Sequence, residues 1–292
     1  MRYSKLLHFL PDNIYVELMY FYHFHRFANL RKPRSFNEKI QWLKLHDHRP
    51  EYITMVDKIA VKEYVAKKIG YEYIIPTIDV WEKIEDINWE LLPNQFVLKW
   101  NHDSGSIVIC KDKNTFNREL AIKKLSHGAK VNGYWYGREW PYKGVKPMLL
   151  AEQYIEEASE GRQDYKCSNL GGLIDYKFMC FNGEVKCCFT CTDRFSGKGL
   201  KVTFYDNDWN IMPFERNHPR ETTPIQKPYS YEQMKSAAEK LSEGLPFARV
   251  DFYEINKHPY FGEITLYPGS GLEAFQPEEW DKIMGDWIIL PY

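Results

Sequence analysis

No stretch of this 292-residue chain approaches the apolar run needed to span a bilayer. Its first residues lack the basic segment, apolar core and cleavage site of a secretory leader, so a reduced cytoplasm is the expected setting. An excess of charge of one sign is missing as well: 39 Lys and Arg stand against 40 Asp and Glu, a formal net charge of -1. With no global field to draw a polyanion, nucleic acid is not an expected partner, and any anion site must be local. Cysteine is present, but Cys110, Cys167, Cys180, Cys187, Cys188 and Cys191 follow neither a zinc spacing nor a disulfide framework. There is no Walker spacing for phosphate, no defensible Ser-His-Asp or Cys-His arrangement, and no orienting acid for His102, His218 or His258. No internal repeat or low-complexity linker divides the chain.

What is present starts with length, which allows a substantial core and one large or two ordinary domains. Aromatics make up 16%, with 21 Tyr and 9 Trp. A large core accounts for them, although carbohydrate and peptide surfaces use the same residues. The most informative stretch is 249–271, RVDFYEINKHPYFGEITLYPGSG. Asp251 and Glu263 each lie in a short β-prone run, and the turn-like NKHP between the runs predicts a hairpin that sets both acids near each other. Two hard oxygen ligands on neighbouring strands suit Mg²⁺, which completes its octahedron with phosphate oxygens and water. Arg249 shares alternation parity with Asp251, so a cation and an anion leave one face of the strand. The PGSG that follows is a small-residue turn whose backbone N–H groups can approach an anion. Solvated hairpin acids would produce the same pattern.

Upstream, residues 10–30 open on Pro11 and Asp12 as helix-start signals and run strongly apolar and aromatic. That helix is expected to pack on its own domain. With Arg26, Arg31, Lys32 and Arg34 close behind, residues 10–34 also suit peripheral contact with a membrane or a partner protein. Ser35 and Glu38 have the spacing of a capping box for FNEKIQWLKL. DKIAVKEYVAKKI predicts an amphipathic helix over 57–69 closed by Gly70, and YEYIIPTIDVW predicts a strand. FVLKWNHDSGSIVIC predicts two strands around a polar turn, with Lys99 at the end of the first. An ammonium beside a small-residue turn can share a phosphate charge with free backbone N–H groups; an exposed hairpin lysine looks the same. A helix is expected over 115–129, a Gly- and aromatic-rich loop in VNGYWYGREWPYKGVKP, and a strand in MLLAEQYI. Asn182-Gly183 between alternating apolar runs is a hairpin signal, and a helix over 234–241 feeds the acidic hairpin.

Together these segments resemble the ATP-grasp fold. SFNEKIQWLKL, DKIAVKEYV, FVLKWNHDSGS, AEQYIE, DYKFMCFNG and RVDFYEI to FGEITLYPGSG, in that order, resemble the teichuronopeptide-type (TupA-like) ATP-grasp family over about 33–272. A more distant similarity is to D-alanine-D-alanine ligases. The resemblance implies an α/β (α+β) chain with two lobes clasping ATP. It divides into a short helical N-terminal segment (1–50), a first ATP-grasp lobe (51–155) with a lid over about 93–155, and a C-terminal lobe with the metal site (156–292). By the same resemblance, Lys58 and Lys99 contact nucleotide, Gly105 and Ser106 belong to the loop over the phosphates, and the backbone of Glu152, Gln153, Tyr154 and Ile155 reads adenine. Asp251 and Glu263 match the metal ligands, Arg249 the arginine at the reacting phosphoryl group, and Lys177 and Arg194 further phosphate or substrate contacts. Thr265 stands where many ATP-grasp enzymes carry Asn, and its hydroxyl remains a metal donor. Set against that family pattern, the short helical stretch before Lys58 is expected to stand in place of the α/β domain that usually precedes the lobes and helps bind the carboxylate substrate.

The reaction so implied is ATP- and Mg²⁺-dependent joining of a carboxylate to an amine through an acyl phosphate. The substrates implied are an amino acid or amine and a uronic acid of a cell-surface, capsular glycan or its precursor. The expected place is the cytoplasm, at the inner face of the membrane if residues 10–34 bind there. A glycosyltransferase would use a metal-binding acid pair and aromatics for a nucleotide sugar, and a phosphotransferase would share the ATP site but use a hydroxyl acceptor. Lys58, Lys99 and the paired acids favour ATP over a nucleotide sugar.

Overall fold

The structure, a computed structural model, describes residues 7–156, 173–192 and 199–291. The chain divides into two compact units. One comprises the described residues of Met1–Arg49 and Glu157–Tyr292, the other Pro50–Glu156.

Helix α1 (Asp12–Phe24) buries Tyr15, Val16, Met19 and Tyr20, and ends at His25, which is left-handed with φ 55°. Apolar on both sides, it leaves Ile14, Leu18, Phe21 and Tyr22 exposed as a stripe on the opposite face. Among the described residues no helix is long and apolar enough to cross a membrane. Helix α2 (Phe36–His46) starts at the expected capping box, with Ser35 Oγ accepting from Glu38 N and the Glu38 carboxylate accepting from Ser35 N. The same carboxylate accepts from Asn29 N and Arg34 N, so one buried glutamate satisfies the incoming loop as well as the helix end.

In the Pro50–Glu156 unit, α3 (Glu51–Val56) and α4 (Ala60–Ile69) precede a four-stranded antiparallel sheet. Its strands are β1 (Thr77–Trp81), β2 (Phe96–Trp100), β3 (Val108–Cys110) and β4 (Leu149–Gln153), in the order β1-β4-β2-β3. Helix α4 starts at Ala60 rather than 57, because the Asp57 carboxylate accepts from Ile59 N and Ala60 N and ends the preceding loop. The strand expected over YEYIIPTIDVW shrinks to β1, since Tyr71–Tyr73 closes a 3-10 turn after Gly70. Phe96, Leu98 and Trp100 alternate into a core with Leu149, Ala151 and Leu125 of α5 (Arg118–Gly128). Burial of Phe96, Leu98, Leu125 and Leu149 stabilises the unit by roughly 1.5–3 kcal/mol each. The segment expected to be a loop holds α6 (Gly133–Gly137) and a 3-10 turn at Trp140–Lys143, because the buried Arg138 guanidinium lies 5.1 Å and 4.9 Å from the Tyr134 and Trp135 rings.

The second sheet has the order β10-β9-β5-β6-β7, antiparallel throughout, built from β5 (Asp175–Phe181), β6 (Glu184–Thr192), β7 (Lys201–Tyr205), β9 (Phe247–Ile255) and β10 (His258–Thr265). Asn182 and Gly183, at φ 53° and 85°, make the two-residue β5–β6 turn that their sequence predicts. A short ribbon pairs β8 (Glu215–Arg216) with β11 (Phe275–Gln276). One sheet face is covered by α7 (Tyr231–Ser242), where Phe178 meets Tyr231 at 5.5 Å and the Cys180 thiol meets Ala238 O. Phe36 of α2 fills the end of this core, within 5.2–6.2 Å of the Phe181, Phe247 and Phe275 rings. Helix α8 (Glu279–Asp286) packs on α2 so closely that a Cβ at Gly285 would lie 2.2 Å from Arg34 O.

Candidate functional site

The strand register of the five-stranded sheet assembles the first cluster. Lys177 of β5 stands opposite Asp251 of β9, which stands opposite Glu263 of β10; Arg249 stands opposite Thr265. Side chains of one parity leave one face, so Asp175, Lys177, Arg249, Asp251, Tyr253, Glu263 and Thr265 share it. Arg249 grips Asp251 as a fork, Nε to Oδ1 at 2.7 Å and Nη2 to Oδ2 at 2.7 Å, and the same Nη2 reaches Glu263 Oε1 at 2.6 Å. Lys177 Nζ donates to Asp251 Oδ2 and lies 3.8 Å from Asp175 Oδ2. Thr265 Oγ1 is 3.4 Å from Glu263 Oε1.

Burial grades this cluster. The Asp251 side chain is 2% exposed and Glu263 34%, so Glu263 is the acid that solvent reaches. Burial works against the charge on Lys177, yet Asp251, Asp175 and Glu263 together outweigh it and hold the ammonium above its usual range. The Arg249 guanidinium is likewise opposed by burial, and Asp251 and Glu263 together hold it charged. Tyr253, whose hydroxyl is hydrogen-bonded to Asp175, is pushed well above its usual range, first by burial and then by that carboxylate. Burial pushes the Asp251 carboxyl up, and the charges of Arg249 and Lys177 work against that shift.

A second cluster lies in the Pro50–Glu156 unit. Val97 of β2 pairs with Glu152 of β4, which brings Lys99, two residues on, to the same face diagonally from Glu152. Lys99 Nζ is 2.5 Å from Glu152 Oε2, and Lys62 Nζ of α4 is 2.6 Å from Glu152 Oε1. Burial alone raises the Glu152 pKa; the two lysines outweigh it and hold the carboxyl below its usual range. Lys62 also donates to Ile75 O and Thr77 Oγ1, and its own pKa is lowered by burial.

Lys58 sits apart from that pair. Its Nζ donates to Asp103 O at 2.6 Å and its backbone N to Asn101 O. The turn over 100–106, which carries Gly105 and Ser106, is tied down at its base. Asn101 N donates to Met148 O, Asn101 Oδ1 accepts from Met148 N, His102 Nε2 lies 3.0 Å from Val131 O, and Ser106 Oγ donates to the Asp103 carboxylate. Ser104 and Gly105 are its exposed tip, with Gly105 at φ +139°. Gln153 and Tyr154 border an open groove of about 430 Å³ with Pro76, Ile78, Pro93, Asn94 and Gln95, and Ile155 follows. Arg194 lies outside the described residues.

The structure thus gathers Arg249, Asp251, Glu263, Thr265 and Lys177, and separately Lys99 and Glu152. Lys62, Asp175 and Tyr253 join them without having been singled out from sequence. DKIAVK places Lys62 one helical turn beyond Lys58, and the alternation of D-Y-K and R-V-D-F-Y aligns Asp175 and Tyr253 with the site. Among the described residues no group of three or more His, Cys, Asp or Glu is arranged to hold a metal ion by itself. The oxygen donors present do fit Mg²⁺: two carboxylates, each within one hydrogen bond of the same Arg249 nitrogen, with the Thr265 hydroxyl beside Glu263.

Among curated proteins none matches the chain. Solved structures similar to it include a D-alanine-D-alanine ligase from Helicobacter pylori, at 17% identity and TM-score 0.44, covering 82% of this chain and 61% of that one. Others are an L-amino acid ligase from Bacillus licheniformis, at 12% identity and TM-score 0.44 over 90% and 57%, and a D-alanine-D-alanine ligase from Bacillus anthracis complexed with ATP, at 16% and 0.42 over 80% and 63%. The chain therefore spans about three fifths of the length of the ligases it matches. The family model described as TupA-like ATPgrasp matches residues 38–289, from within α2 to just past α8. The chain belongs to the TupA-like ATP-grasp family, and its mixed α/β architecture is an ATP-grasp fold.

Proposed function

We propose that this chain is an ATP- and Mg²⁺-dependent ligase that activates a carboxylate and joins it to an amine. The observation that carries the reading is Arg249 Nη2 touching both Asp251 and Glu263, with Lys177 donating to the same Asp251 oxygen, Oδ2. In this reading Asp251, Glu263 and Thr265 hold Mg²⁺, whose charge, once bound, offsets that of the nucleotide phosphates. Lys58, Lys99 and the turn carrying Gly105 and Ser106 contact those phosphates. Glu152 spends its carboxylate on Lys62 and Lys99, which leaves the backbone of Glu152, Gln153, Tyr154 and Ile155 to read adenine.

A substrate carboxylate oxygen attacks the γ-phosphorus, the bond to the bridging oxygen breaks, and ADP leaves. An amine nitrogen then adds to the acyl carbon of the acyl phosphate, inorganic phosphate departs with the C–O bonding pair, and the nitrogen releases a proton. Negative charge builds on oxygen in both steps, and Arg249, held in place by two carboxylates, stabilises it without reorganising. Neither step needs a side-chain nucleophile. The buried thiols are poorly suited to that role, burial pushing Cys180 up to about 12.

The family resemblance supports a uronic acid of a cell-surface glycan, or its precursor, as the carboxylate and an amino acid or amine as its partner. Incubation with ATP, Mg²⁺, a glucuronate-containing glycan and pooled amino acids tests this, reading ADP, phosphate and product mass. An amide product with equal ADP and phosphate is expected. A phosphorylated glycan without amine would make the protein a phosphotransferase, and transfer from a nucleotide sugar without ADP would make it a glycosyltransferase.

A further inference from the structure

Directly after β10, the strand that carries Glu263 and Thr265, the chain turns through Pro268–Gly271. Three consecutive residues there are left-handed: Gly269 at φ 57°, Ser270 at 55° and Gly271 at 65°. Glycine adopts this geometry freely, but Ser270 has a Cβ and is held there by its surroundings. Those surroundings come from elements far away in sequence. Gln41 Nε2 of α2 donates to Ser270 O at 2.9 Å and Gly271 O at 2.8 Å. Lys44 Nζ, one turn along the same helix, donates to Ser270 O at 2.9 Å and lies 3.2 Å from Ser270 Oγ. Arg216 Nη2 of β8 donates to Pro268 O at 3.1 Å.

All three donors are buried, Lys44 to 2% exposure. A lysine and an arginine with long flexible stems are rarely enclosed this way, and here both lie against carbonyl oxygens of one four-residue turn. The fit leaves no slack, since a Cβ on Gly271 would meet Gln41 Nε2 and Ile40 at 2.8 Å. The donors draw three of the turn's carbonyls inward. Gly269 is exposed, and among the described residues nothing accepts from its N–H. A left-handed run with its carbonyls committed inward, in a turn that starts three residues after Thr265 in the chain, turns the exposed Gly269 backbone outward, where the Glu273 carboxyl lies against it, and can present a backbone donor to an anionic oxygen when that side chain moves aside. The family match begins at residue 38, so Gln41 and Lys44 lie inside it while α1 does not.

We propose that Gln41 and Lys44 are positioning residues for the ligase chemistry. They hold the Pro268–Gly271 turn in its left-handed form so that it orders the carboxylate substrate at the metal and Arg249 site, and they take no part in nucleotide binding. This rests on the ligase reading above. Neither residue touches the reacting atoms; the effect of Lys44 passes through Ser270 and that of Gln41 through Ser270 and Gly271.

The test uses the full chain with Lys44→Met and Gln41→Met, which keep side-chain length and remove the donors. Nucleotide affinity, read with a non-hydrolysable ATP analogue and Mg²⁺, should stay within about twofold while carboxylate-dependent kcat falls by about a hundredfold, the cost of an ångström-scale misplacement. Amides over 267–272 should exchange faster in Lys44→Met with those of β9 unchanged. Ser270→Gly in the Lys44→Met background should recover part of the lost kcat, because glycine needs no holding in that geometry. Phe36→Leu, which lowers stability from the same helix without touching the turn, should leave kcat near that of the parent. Should Lys44→Met not fold, Gln41→Met carries the same readouts. If both variants keep parental kcat, or lose nucleotide affinity and kcat equally with no rescue by Ser270→Gly, the positioning role is wrong while the ligase reading stands. If the parent chain consumes no ATP with any carboxylate, both fall together.

Discussion

Arg249 holds Asp251 by both carboxylate oxygens, Nε to Oδ1 and Nη2 to Oδ2, each at 2.7 Å, two residues apart on one strand. Asp251 is buried and Arg249 half-buried, and Lys177 completes the cluster. Removing the acid would leave an enclosed guanidinium and an ammonium without their shared partner. Asp251→Asn should destabilise the fold by about 3–5 kcal/mol, the usual consequence of breaking a buried ion pair from one side. Urea melts without nucleotide or metal check this, and a loss under about 1 kcal/mol would show that water reaches the pair.

Glu263 is the accessible acid, so its replacement should separate chemistry from stability. Glu263→Gln should leave the melting transition close to that of the parent and abolish ATP-dependent turnover, because the remaining donors no longer balance the ion's charge. Retention of most turnover at saturating Mg²⁺ would remove Glu263 from the metal site.

Arg249→Lys keeps one charge and loses the fork that reaches Asp251 and Glu263 together. Turnover should fall by about a hundredfold, comparable to losing an oxyanion donor, with a smaller change in nucleotide affinity. Equal losses in both would make Arg249 a binding residue alone.

Glu152 gives a pH-dependent signature. Its folded pKa lies below the ordinary 4.5, so its contribution to stability is complete above that value and is lost as pH falls through the lower folded pKa. Glu152→Gln should therefore reduce stability at neutral pH and flatten its decline below about pH 4.5. Denaturant titrations at pH 7, 5 and 3.5 would show the two curves converging at acid pH, and parallel curves would contradict the assignment.

Hydrogen exchange should divide the 100–106 turn. Asn101 N is bonded to Met148 O and should exchange slowly, whereas Ser104 and Gly105 are exposed and should exchange quickly. A Mg²⁺-bound ATP analogue should protect that tip and the backbone of Gln153 to Ile155. Uniformly fast exchange across the turn would show that its bonds to Met148 and Val131 do not persist.

Features legible in the sequence are those whose cause is local. Ser35 and Glu38 form their capping box because three residues separate cap and acid; Asn182-Gly183 turns because both residues tolerate positive φ; Arg249 and Asp251 share a face because strand parity is two. The order of such segments was enough to indicate the ATP-grasp fold and the cluster on β9 and β10. Tertiary structure decided the rest, because partners far apart in sequence are selected by how elements pack. Lys58 and Lys62 are equivalent on paper, yet the seating of α4 beside β1 and β4 gives Lys62, not Lys58, to Glu152 and Lys99. The polar turn after β2 shows no partner in its own sequence, and Met148, Lys146 and Val131 supply the groups that bind its base. Gln41 and Lys44 look like ordinary polar positions of an amphipathic helix. They are buried because they donate to the Ser270 and Gly271 carbonyls of a turn more than 220 residues later.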